Sequence, residues 1–212
     1  MEIAILLFER LTALDAVGPY EVLSRLPGAT VRWVAVEPGP KRADAGLALL
    51  ADHPLEQVTA PDVVVVPGGF GTRTAMQDPQ VLEWVRSAHE TSTWTTSVCT
   101  GSLVLAAAGV LRGVEATTHW NYLEQLRQLG ARPLSQRIVH RGKVITAAGV
   151  SAGIDMGLRL AQQIAGDAVA QAIQLSIEYD PDPPFETGSP GKSPPEIVEL
   201  VRRSVARLEA EE

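Results

Sequence analysis

Cysteine is almost absent from this sequence: Cys99 is the only one in 212 residues. A single thiol excludes an intrachain disulfide framework and fits a reducing compartment. Positive charge is in deficit as well. The net charge of −7 gives no electrostatic reason to expect nucleic acid or an anionic membrane as partner. No apolar run approaches the length of a membrane span. The start, an acidic residue followed by a short apolar run, has neither a basic region nor a small-residue cleavage site, so no signal peptide is expected. There is no internal repeat. The remaining expectation is a cytoplasmic globular protein, and 45% hydrophobic with 20% charged residues suits that.

The chain is long enough for one domain with a full core, expected to run 1–212. Glu2 to Phe8 reads as a short buried strand, with a continuous apolar run from Ile3 to Phe8. A helix follows over Thr12 to Leu26, with Val17, Tyr20, Leu23 and Leu26 on one face. Pro19 suits a first turn, which starts that helix near Val17 and leaves Asp15 in the loop or at the N-cap. Val63-Val64-Val65-Val66 is the strongest strand signal, and four valines in a row imply burial on both faces of a parallel sheet. Pro67-Gly68-Gly69 ends it in a turn. Further helices are expected over 79–90, 119–129, 153–165, 167–179 and 195–209, with Ser151 as a cap for the 153–165 helix. Residues 180–195 are rich in Pro and Gly and form a loop or surface arm before the last helix. Alternating strands and helices predict an α/β fold, a three-layer sandwich around a mostly parallel sheet.

Cys99 stands where that pattern changes sharply. Trp94 to Val98 is β-branched and extended. Thr100 to Ala108 is small, apolar and helix-forming. A strand that turns into a helix at a cysteine predicts a nucleophile elbow, which lifts the side chain out of the sheet. The N–H groups of the following helix favour thiolate over thiol. The competing reading is a buried, inert cysteine. Sites in such sheets form at the carboxyl ends of strands. The turns leading to Asp15, to Gly68-Gly69 and to Cys99 converge if their strands are neighbours.

Several stretches together carry a resemblance: Leu14-Asp15-Ala16-Val17-Gly18-Pro19-Tyr20-Glu21-Val22, Val65-Val66-Pro67-Gly68-Gly69, Ser97-Val98-Cys99-Thr100-Gly101-Ser102 and Ala116-Thr117-Thr118-His119-Trp120. With these the chain resembles the ThiJ/PfpI superfamily, a branch of the class I glutamine amidotransferase-like folds. Ala148 to Asp155 and Glu178 to Phe185 are similar to its isocyanide hydratase branch. The resemblance implies a flavodoxin-like sandwich, a homodimer, no metal or organic cofactor, and hydration of an isocyanide R–N≡C to an N-substituted formamide. It implies Cys99 as nucleophile, Asp15 as acid/base partner and Thr100 as an assisting hydroxyl. The chemistry is covalent catalysis through a thioimidate, and it asks for a carboxyl that holds its proton near neutral pH.

Other readings of these residues stay open. Asp15 also serves as an N-cap, and Glu21 competes for the proton-donor role. Gly69 is either a turn glycine or a backbone donor close to the substrate. His119 is a pocket-wall residue or a direct participant. A Cys–His–acid relay is disfavoured because Asn121 stands where an acid would complete it. Trp120, Tyr122 and Phe185 are candidate walls of an apolar substrate pocket, or core packing. His53, His89 and His140 show no metal-ligand spacing. The rival functions are a ligand-sensing module like those of AraC-type regulators and another cysteine-dependent activity, glyoxalase- or deglycase-like or redox sensing. A complete regulator is disfavoured because no helix-turn-helix region follows Glu212 and the charge is acidic.

Overall fold

The computed structural model describes residues 1–210; Glu211 and Glu212, part of the expected 1–212 domain, lie outside it. The chain forms two compact units that divide after Ile177. In the first unit the order is β1 (Glu2–Leu6), α1 (Ala13–Leu23), β2 (Thr30–Ala35), β3 (Gly39–Arg42), β4 (Ala48–Ala51), β5 (His53–Pro54) and β6 (Val63–Val66). It continues with α2 (Thr72–Ala75), α3 (Pro79–Thr91), β7 (Trp94–Val98), α4 (Gly101–Ala107), β8 (Glu115–Ala116), α5 (Leu123–Gln128) and β9 (Arg132–Pro133). Then come β10 (Ile138–Arg141), β11 (Val144–Ala147), α6 (Ala152–Ala165) and α7 (Asp167–Ser176). The second unit holds the Pro-rich arm and α8 (Pro195–Ala210); none of its residues from 178 to 210 is buried.

The central sheet has seven strands in the order β10-β11-β7-β6-β1-β2-β5. All pairs are parallel except β10 with β11. Side chains alternate across the pleat. Ile3, Ile5, Val63 and Val65 pack with Val22, Leu23, Met156 and Leu160, on the face covered by α1, α6 and α7. Ala4, Leu6, Val64 and Val66 pack with Val85, Ala88, Leu103 and Leu126, on the face covered by α3, α4 and α5. The four valines are thus buried because both faces carry helices, as the sequence predicts. The chain leaves β1 for β2 on one side and returns to β6 on the other. That reversal opens a crevice at the carboxyl ends of β1 and β6.

Three local expectations are corrected. The first helix begins at Ala13, with Thr12 at its N-cap, so Asp15 lies inside the first turn and Pro19 inside the helix. A proline there removes one helical hydrogen bond and costs about 3 kcal/mol in isolation. Tertiary packing outweighs it: α1 lies against α6, where a Cβ on Gly153 would stand 3.1 Å from the Pro19 ring. Ser151 precedes α6 but its side chain does not cap it; the hydroxyl accepts from Arg137 at 3.3 Å. The 119–129 stretch is a short 3-10 turn, Trp120–Tyr122, followed by α5, rather than one helix.

The strand ends are held together by close backbone approach. A Cβ on Gly101 would lie 2.1 Å from the Val66 carbonyl oxygen and 2.7 Å from that of Pro67. Neither backbone oxygen can swing aside. Gly101→Ala is expected to cost about 2–3 kcal/mol of stability by forcing β6 and α4 apart. Urea unfolding checks this; a loss of a few tenths would mean that the approach is relaxed in solution.

Candidate active site

Strands β1, β6 and β7 are neighbours, so the three turns at their carboxyl ends do converge. Cys99 occupies the junction of β7 and α4 with φ of 56°, a left-handed conformation uncommon for a residue with a side chain. Its backbone is fully tied. The N–H donates to the Ala147 carbonyl at 3.1 Å, and the carbonyl accepts from the Thr118 hydroxyl at 3.0 Å and the Ser102 hydroxyl at 3.3 Å. These bonds offset the strain of a conformation that costs on the order of 1–3 kcal/mol.

Asp15 lies beside the thiol with no exposed surface. Its Oδ2 accepts from the Gly68 N–H at 3.0 Å. Its Oδ1, equally buried, has no partner of ordinary hydrogen-bond geometry among the described residues. Burial pushes the carboxyl up to about 8, against the pull of the Gly68 N–H and of the thiol, and the nearby Asp44 charge pushes the same way. Asp15 is therefore a neutral acid at pH 7. Glu21 is elsewhere: its carboxylate pairs with Arg25 at 2.7 Å on the surface. Of the two candidate proton donors, Asp15 is the one in contact with Cys99.

The thiol is also held neutral. Cys99 is 6% exposed, and burial, followed by the charge that Asp15 takes on above about pH 8, pushes it well above the usual thiol range. The Thr100 N–H and hydroxyl pull it down, but by less. The sequence argument for a resting thiolate therefore fails. Helix α4 is only seven residues long, and desolvation outweighs its N-terminal donors. The resting site is an uncharged thiol beside an uncharged acid.

Thr100 links the two turns. Its Oγ1 accepts from the Gly69 N–H at 2.9 Å, which leaves its proton to be shared among the sulfur, the Thr72 hydroxyl at 2.9 Å and the Gly69 carbonyl at 3.3 Å. Gly69 has φ of 135°, and a Cβ there would stand 2.5 Å from the Arg10 carbonyl oxygen, so the turn requires glycine. The Gly69 N–H is thus engaged by Thr100, while the N–H of Gly68 reaches the acid. Gly68, Thr72 and Thr118 were not singled out from sequence. Gly68 and Thr118 lie in stretches that were, but Thr72 carries no local signal.

His119 stands on the far wall. A Cβ on Gly149 would lie 3.1 Å from the Cys99 sulfur and 3.3 Å from the His119 ring, so the glycine keeps space open between them. Burial lowers the His119 pKa and keeps the ring neutral. Its Nδ1 accepts from the Asn121 N–H at 3.4 Å. Trp120 and Tyr122 flank the ring with centroids at 5.4 and 5.8 Å. Phe185 belongs to the second unit and is 74% exposed, so it is not part of a buried wall among the described residues. Those residues contain no cluster of three His, Cys, Asp or Glu side chains placed to hold a metal ion, and no helix long and apolar enough to cross a membrane.

The buried acid makes stability depend on pH. Asp15 binds its proton more tightly folded than unfolded, so its contribution is complete below pH ~4 and is lost as pH rises through about 8. Between pH 5 and 8 the unfolding free energy should fall, by at most about 1.4 kcal/mol per pH unit from this group. Asp15→Asn should flatten that slope in urea titrations. Parallel curves for the two proteins would contradict a protonated Asp15.

The chain matches the model of the DJ-1/PfpI family over residues 1–163. It is 44% identical over 206 residues to the isonitrile hydratase of Pseudomonas putida, covering 97% of this chain and 90% of that protein. It is 31% identical over 169 residues to the HTH-type transcriptional regulator CdhR of Pseudomonas aeruginosa, covering 78% of this chain and 49% of the regulator. Among solved structures, a THiJ/PfpI family protein from Pseudomonas syringae superposes with a TM-score of 0.95 at 36% identity, over 99% of this chain and 87% of that one. Drosophila melanogaster DJ-1beta superposes at 0.77 with 23% identity, over 84% of this chain and 97% of that one, a likeness of fold alone. With its mostly parallel sheet and both helical layers, the chain belongs to the DJ-1/PfpI family.

Proposed function

We propose that the protein is an isocyanide hydratase that converts R–N≡C and water to R–NH–CHO through a cysteine thioimidate. The observation that carries this reading is a buried Asp15 carboxyl that keeps its proton beside the Cys99 thiol. The 44% identity to an isonitrile hydratase supplies the substrate class. A homodimer and residence in the cytoplasm belong to the same reading; the first rests on the family resemblance and the second on the lone cysteine, which fits a reducing compartment.

The isocyanide carbon needs a proton and a nucleophile on one atom. Asp15 gives its proton to that carbon, the Cys99 sulfur bonds to it, and the Asp15 carboxylate takes up the thiol proton. The product is the thioimidate R–N=CH–S–Cys99, and Asp15 is again a neutral acid. Water then adds to the same carbon. Asp15 protonates the nitrogen and accepts a proton from the water, which gives R–NH–CH(OH)–S–Cys99. In the collapse, Asp15 gives its proton to the leaving sulfur as the C–S bond breaks, and its carboxylate takes up the hydroxyl proton. Formamide and free thiol result. One proton shuttles at each step, and no net charge is created in the apolar site. The Thr100 N–H and hydroxyl stabilise negative charge on the sulfur as it forms and leaves. Trp120 and His119 bound the space that receives the R group.

A second reading has a specific observation behind it, the match to CdhR over 78% of this chain. A ligand-sensing module would bind an isocyanide or another small molecule without turnover.

Purified protein should convert a para-substituted phenyl isocyanide to its formamide. Cys99→Ala should abolish turnover, and Asp15→Asn should reduce it by 10²-fold or more, the usual worth of a positioned general acid. The rate should hold from pH 6 to 7 and fall above about pH 8 as Asp15 loses its proton. Full activity of Cys99→Ala would remove the covalent mechanism. Binding without turnover would favour the sensor, and activity on methylglyoxal alone a glyoxalase-like enzyme.

A further inference from the structure

The β3–β4 hairpin stands outside the central sheet, yet it is fastened to the loop that leads into α1. Four hydrogen bonds make the attachment. The Arg10 N–H donates to the Arg42 carbonyl at 2.6 Å, and the Asp44 N–H to the Leu11 carbonyl at 2.9 Å. The Arg42 N–H donates to Glu9 Oε2 at 3.1 Å, and the Thr12 hydroxyl to Asp44 Oδ2 at 2.7 Å. The same loop grips the turn after β6. Its Thr12 N–H donates to the Gly68 carbonyl at 2.8 Å, and the Gly71 N–H donates to the Arg10 carbonyl at 3.0 Å. The hairpin is therefore joined through one loop to the turn after β6, whose Gly68 N–H meets Asp15 and whose Gly69 N–H meets Thr100.

Thr12 is the informative residue. It occupies the N-cap of α1, where a threonine hydroxyl ordinarily accepts from the helix's own N–H groups. Here its side chain makes no cap and donates to Asp44 instead. That donation leaves Asp44 as the acceptor and brings a carboxylate to Thr12 at the head of α1, close enough for its charge to bear on Asp15, whose own N–H donates to the Thr12 carbonyl at 3.0 Å.

We propose that Asp44 is a positioning residue for Asp15: it fixes the head of α1 through the Thr12 hydroxyl and keeps a negative charge beside the buried acid. A negative charge there disfavours a second one on Asp15, so the acid retains the proton that it must deliver. Cys99 meets the acid from the turn after β7 and is neutral at rest. Asp155 on α6 is paired with Arg137, Arg10 lies over the Phe70 ring, and His119 is uncharged. The use of this arrangement in turnover rests on the isocyanide reading; the effect on Asp15 does not.

The test is a ¹³C carboxyl NMR titration of the intact protein labelled at aspartate, with the Asp15 signal assigned by its loss in Asp15→Asn. Asp44→Asn keeps an acceptor for Thr12 and removes the charge; Asp44→Glu keeps the charge. Asp44→Asn should lower the Asp15 midpoint by about half a pH unit, as expected of one exposed charge. The difference should shrink in 1 M salt. Asp44→Glu should restore the original midpoint. An unchanged midpoint in Asp44→Asn would overturn the proposal, as would Asp44→Glu behaving like Asp44→Asn. Formamide production measured in parallel should lose its rate at lower pH in Asp44→Asn. If the protein turns over no isocyanide but the NMR shift is present, the function fails and the role of Asp44 stands.

Discussion

The structure of the site depends on the burial of one carboxyl group. Asp15 is removed from water at the point where the ends of β1, β6 and β7 meet, with a backbone N–H on one oxygen and a thiol as neighbour. Taking a carboxylate out of water costs several kcal/mol, and one N–H does not repay it. The group answers by holding its proton to about pH 8. Everything around it is built to that end. Gly101 lets β6 and α4 close on each other, Pro19 is accepted inside a helix so that α1 seats against α6, and Cys99 is held in a left-handed turn by Ala147, Thr118 and Ser102.

This arrangement differs from the one that makes a cysteine reactive at rest. A low-pKa thiol is exposed, electropositive and readily oxidised. Cys99 is nearly enclosed and pushed the other way. Such a thiol needs a partner reagent that accepts a proton and a sulfur together. An isocyanide carbon is of that kind, whereas a peptide or an oxidant gains little from a neutral acid beside a neutral thiol. The uncharged resting site therefore supports the proposed isocyanide chemistry.

What could be read along the chain was whatever depends on neighbours in sequence. Four valines report a strand buried on both faces, and Val98-Cys99-Thr100-Gly101 reports a strand turning into a helix. Asp15 and Cys99 were both visible as candidates, but their pairing depends on strand order, which no local pattern encodes. The choice between Asp15 and Glu21 needed the direction of α1, which turns one inward and the other toward Arg25. Pro19 misled the placement of the helix start, because a local penalty was outweighed by packing on α6. The protonation of Cys99 was misjudged for a related reason: a helix N-terminus is legible in sequence, while the depth of burial that outweighs it is not. Thr72 and Asp44 act through contacts 28 and 32 residues away in the chain.

Infrared difference spectroscopy tests the central claim most directly. At pH 6.5 the protein minus Asp15→Asn should show the C=O stretch of a protonated carboxylic acid, and that band should give way to carboxylate as pH rises through about 8. A carboxylate signal for Asp15 already present at pH 6.5 would contradict the account, because the acid would then have no proton to give.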